Sequence, residues 1–107
     1  MNNNELTINE ARLLQTKLMH DEHLPIAYAA ILVDDALNRF DPRVLAGVRL
    51  WMRGKLEDNF TVDDASIAEI HEYTGLKGFQ ALCYMDIYLK NPDFVRYDVS
   101  WFEGRYD

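Results

Sequence analysis

Apolar residues recur at helical spacing along most of the chain, and short polar clusters punctuate them. Thr7-Ile8-Asn9-Glu10 opens the first helix as a capping box, with the threonine hydroxyl facing the Glu10 N–H and the glutamate reaching back. Ile8, Ala11, Leu14 and Leu18 then lie three and four residues apart, which predicts one inward stripe ending around Met19. Leu24-Pro25 restarts the chain, since proline suits the first turn of a helix, and Ile26 to Phe40 follow. Here Ile26, Ala29, Ala30, Val33, Ala36, Leu37 and Phe40 make a broad apolar face. Tyr28, Leu32, Asp35 and Arg39 make a second stripe that is only partly polar, so this helix is expected to be buried on more than one side. Asp41 as N-cap and Pro42 at the first position predict a third helix to about Leu56, with Leu45, Val48, Met52 and Leu56 on one face and Trp51 beside it.

Glu57-Asp58-Asn59 breaks that helix, and 59–62 is short and partly β-prone, with Thr61 a candidate cap for the fourth helix. Asp63, Asp64 and Glu69, with the polar Ser66 among them, place negative charge where the dipole of that helix is positive. Ser66 to Leu89 then holds two apolar-periodic segments separated by Gly75, a residue that reaches positive φ cheaply and lets the chain reverse. After Asn91-Pro92, the positions Val95, Tyr97, Val99 and Trp101 alternate with Phe94, Arg96, Asp98 and Ser100, which is the periodicity of a strand.

Ile67 and Ile70 at inward positions, Gly75 in the turn and Leu76 directly after it make 66–89 resemble the helix-turn-helix of bacterial and phage regulators. With the helix at 42–56, the short strand and the extended tail, the order α, β, α, α, β is similar to a winged helix over roughly Pro42 to Tyr106. With the N-terminal helices and a length of one domain, the expectation is a mainly α single domain over 1–107: an N-terminal helical pair (1–41) packed on a unit (42–107) that resembles a winged helix, with three helices and a short β element. Two residues depart from the pattern. His71 stands where the first motif helix usually carries alanine, implying a shifted crossing or an imidazole turned outward. The second helix is also poor in groove-reading side chains: only Lys77 and Gln80 supply the donors and acceptors that base edges demand.

On a wheel for 78–90, Gly78, Ala81, Leu82, Met85, Tyr88 and Leu89 face inward, leaving Phe79, Cys83 and Ile87 outward with Gln80 and Tyr84 beside them. Such a row gains about 25 cal/mol per Å² when buried against apolar surface, so it fits a protein partner or an internal cover better than a DNA groove. Trp101 and Phe102, among the arginines and acids of the tail, complete the expected protein interface.

The net charge of −7 and pI near 4.8 sharpen the same choice, because the field of the chain repels phosphate and favours basic partners. The expected activity is therefore that of a non-enzymatic acidic interaction module, an adaptor or inhibitor whose carboxylates imitate phosphate on a basic, nucleic-acid-binding surface. In size and character it looks like the small proteins of phages and mobile elements, including inhibitors of host defence. The alternative is a DNA-binding transcriptional regulator, a homodimer through the N-terminal helices, touching DNA with Lys77, Gln80, Arg43, Arg49 and Arg53. No cofactor or catalytic residue is expected. His20-Asp21-Glu22-His23 lacks a second ligand pair at matching spacing and reads as a polar loop rather than a metal site. One cysteine, Cys83, cannot form an internal disulfide, and the most apolar run, Leu24 to Val33, is too short to cross a bilayer, so a cytoplasmic protein is expected.

Overall fold

The capping box closes as the side chains dictate. In the computed structural model, which describes residues 6–91 apart from the side chain of Leu37, the Glu10 N–H donates to Thr7 Oγ1 at 3.1 Å and the Thr7 N–H donates to Glu10 Oε1 at 2.9 Å. Helix α1 (Ile8–Asp21) grows from that cap, and helix α2 (Ile26–Asn38) follows from Pro25. Helix α3 spans Pro42–Met52, strands β1 (Thr61–Val62) and β2 (Ala65–Ser66) form an antiparallel hairpin, and helices α4 (Ile67–Thr74) and α5 (Gly78–Lys90) complete the described residues. The fold is mainly helical with a small two-stranded sheet, and no helix among the described residues is long and apolar enough to cross a membrane.

The chain divides into two compact units between Leu45 and Ala46, within α3. In the first unit α1 packs on α2, with Leu14 and Leu18 of α1 and Ala29, Val33 and Ala36 of α2 buried. Two expectations need correction here. Ile8 does not join the inward stripe of α1 but is 75% exposed. Helix α2 is covered on one side only: Ile26, Tyr28 and Ile31 are exposed, as are Ala27 and Ala30. A helix apolar all round is usually buried all round, but α2 is not.

In the second unit α3 stops at Met52, before Leu56, because Gly54 takes φ 70°. The Lys55 N–H then donates to the Leu50 carbonyl at 2.8 Å and the Gly54 N–H to that of Trp51 at 3.0 Å, the paired bonds of a glycine-terminated helix end. The β element is a hairpin, not a lone strand. Thr61 pairs with Ser66 and Val62 with Ala65, leaving Asp63 and Asp64 as the turn, with Asp63 at φ 54°. The cap of α4 is accordingly Ser66, whose hydroxyl accepts the Glu69 N–H at 3.1 Å, and Thr61 does not serve in that role.

The turn after α4 follows the expectation for Gly75, which is left-handed at φ 78° with its N–H bonded to the His71 carbonyl. His71 is turned outward, its Nδ1 3.1 Å from the Leu76 carbonyl oxygen, so the imidazole braces the turn and does not enter the α4–α5 crossing. The tail expected to form a wing lies outside the described residues.

Candidate functional site

Helix α5 is the centre of the second unit. Phe79, Ala81, Leu82, Cys83, Tyr84, Met85, Asp86 and Tyr88 are all buried, so the division into an inward and an outward face does not hold. Phe79 is fully buried, Cys83 and Tyr84 nearly so, and Ile87 is half-buried. The row expected to meet a partner is therefore enclosed. Contacts around α5 are explicit at three places, of which the first covers a member of that row. The Phe79 ring lies 5.5 Å from that of Trp51 on α3, tilted by 45°. Leu82 lies so close to α3 at Gly47 that a Cβ there would stand 2.7 Å from Leu82 Cδ2 and 2.9 Å from the ring of Phe60. Near the C-terminal end of α5, the Tyr88 hydroxyl sits 2.9 and 2.8 Å from the two carboxylate oxygens of Asp64 in the hairpin turn. One turn away Lys90 pairs with the buried Asp86 at 2.7 Å.

Sequence reasoning gave neither Gly47 nor Asp64 a part in this. Gly47 was detectable in principle as a glycine in the middle of an amphipathic helix, where it weakens the helix unless something packs against it. Asp64 carried no such signal, since an acid before a helix is ordinary.

The DNA-binding candidates fall in both units. Arg43 is engaged at the start of α3: Asp41 Oδ1 accepts its backbone N–H at 2.9 Å and its Nε–H at 3.1 Å, and Asp41 Oδ2 accepts from Nη2 at 3.0 Å. That fork occupies the face of the guanidinium that would grip a phosphate. Arg49 is half-buried on the last turn of α3 and Arg53 is exposed just beyond that helix, while Lys77 is exposed at the cap of α5 and Gln80 half-buried in its first turn. Arg43 belongs to the first unit and the other four to the second. Trp101 and Phe102 lie outside the described residues.

The exposed side chains of the second unit carry both signs, with Arg53, Lys55, Lys77 and Lys90 exposed alongside acids that gather around the hairpin. Glu57 and Asp58 before the hairpin, Asp63 and Asp64 in its turn, and Glu72 on α4 are all exposed. Among the described residues no group of three or more His, Cys, Asp or Glu is placed to hold a metal ion, and His20 to His23 form no such cluster. Comparison with protein-family models, with curated proteins and with solved structures gives no match.

Proposed function

We propose that the chain is a non-enzymatic acidic interaction module that occupies a basic, nucleic-acid-binding surface of a partner protein and so inhibits or adapts it. One observation carries the reading: the helix that would read a groove is buried on nearly every side, while exposed carboxylates gather around the hairpin of the same unit. A helix presents base-reading side chains only from an exposed face, and within α5 the one candidate, Gln80, is half-buried, which leaves Lys77 at the cap as the exposed candidate there. Glu57, Asp58 and Asp63 stand beside the hairpin as fixed negative charges, the chemistry that competes with phosphate for arginine and lysine. The small size and acidity fit an inhibitor of a defence or nucleic-acid-binding protein of the kind phages and mobile elements carry.

A dimeric DNA-binding helix-turn-helix regulator is the second reading. The α4–Gly75–α5 connection and the exposed Lys77 and Arg53 favour it.

Two measurements separate the readings. In a gel-shift titration with random and genomic duplexes at physiological salt, the module leaves the duplex free, whereas tight binding that weakens steeply with salt overturns the proposal. A tagged chain should retrieve one stoichiometric protein whose own nucleic-acid binding is lost in the complex. Charge reversal at Glu57, Asp58 and Asp63 should abolish that capture without unfolding the chain, because all three are exposed.

A further inference from the structure

We draw no further inference here: the strongest candidate, the N-terminal end of α5, where no side chain caps the helix, Lys77 stands exposed at the cap and Gly78 approaches the Trp51 indole, rests on a helix N-terminus with no second feature that points to a ligand.

Discussion

The hydroxyl of Tyr88 donates to the carboxylate of Asp64, within 2.9 Å of both oxygens, and so ties the last turns of α5 to the hairpin turn 24 residues earlier. Tyr88 is buried and Asp64 exposed, so solvent competes for the carboxylate but not for the ring. Tyr88→Phe is expected to lower stability by about 1 kcal/mol, below the usual range for a bond to a charged group because Asp64 stays hydrated. Urea denaturation of the two chains measures this. An unchanged midpoint would mean that the bond adds nothing beyond what water supplies.

Gly47 sets how closely α3 and α5 approach. An alanine there gains about 1 kcal/mol of helix propensity but drives its methyl into Leu82 and Phe60, an overpacking cost of about 1–3 kcal/mol. Leu82 is fully buried and has little room to yield, while Phe60 is half-buried and can shift. Gly47→Ala should therefore be net destabilising by roughly 1 kcal/mol, a sign opposite to that of the same change in an open helix. A higher melting temperature in the variant would show that the contact is slack.

Phe79 tests whether the row on α5 is core or contact surface. With the ring fully buried against Trp51, Phe79→Ala should cost about 3–5 kcal/mol, whereas Ile31→Ala on the exposed face of α2 should change stability by no more than about 0.5 kcal/mol. Chemical denaturation of both variants decides the matter. A Phe79 variant of native stability would return the row to the surface.

Cys83 gives a readout without mutation. Cys83 is 5% exposed on a buried helix, so a thiol reagent should react with the native chain only as fast as the second unit opens. The rate should rise with sub-denaturing urea and reach that of a free thiol on unfolding. Immediate, stoichiometric labelling of the native chain would contradict the packing of α5.

Much of the local structure was legible because it depends on neighbours in sequence. Thr7 and Glu10 cap α1 as their spacing requires, Pro25 and Pro42 lie at helix starts, Ile67 and Ile70 turn inward, and Gly75 takes the left-handed conformation that reverses the chain. Other features needed more than the neighbours. Asp63 and Asp64 read as charges ahead of a helix start, and the pairing of Thr61 with Ser66 also makes them the turn of a hairpin. Leu56 continues the apolar stripe of α3 in period, but Gly54 ends the helix first.

The candidate interaction surfaces were the least legible part, and α2 and α5 show why. Both are apolar on nearly their whole circumference, so period alone cannot say which side is covered. The sequence by itself determined the helices, their caps, the reversal at Gly75 and the acidity of the chain, because these follow from backbone sterics, short-range hydrogen bonds and composition. Only the tertiary structure decided that α5 is enclosed and α2 is not. Burial is a property of what arrives from elsewhere in the chain: Gly47 and Trp51 from α3 and Asp64 from the hairpin close around α5, while Ile26, Ala27, Ala30 and Ile31 stay open to solvent.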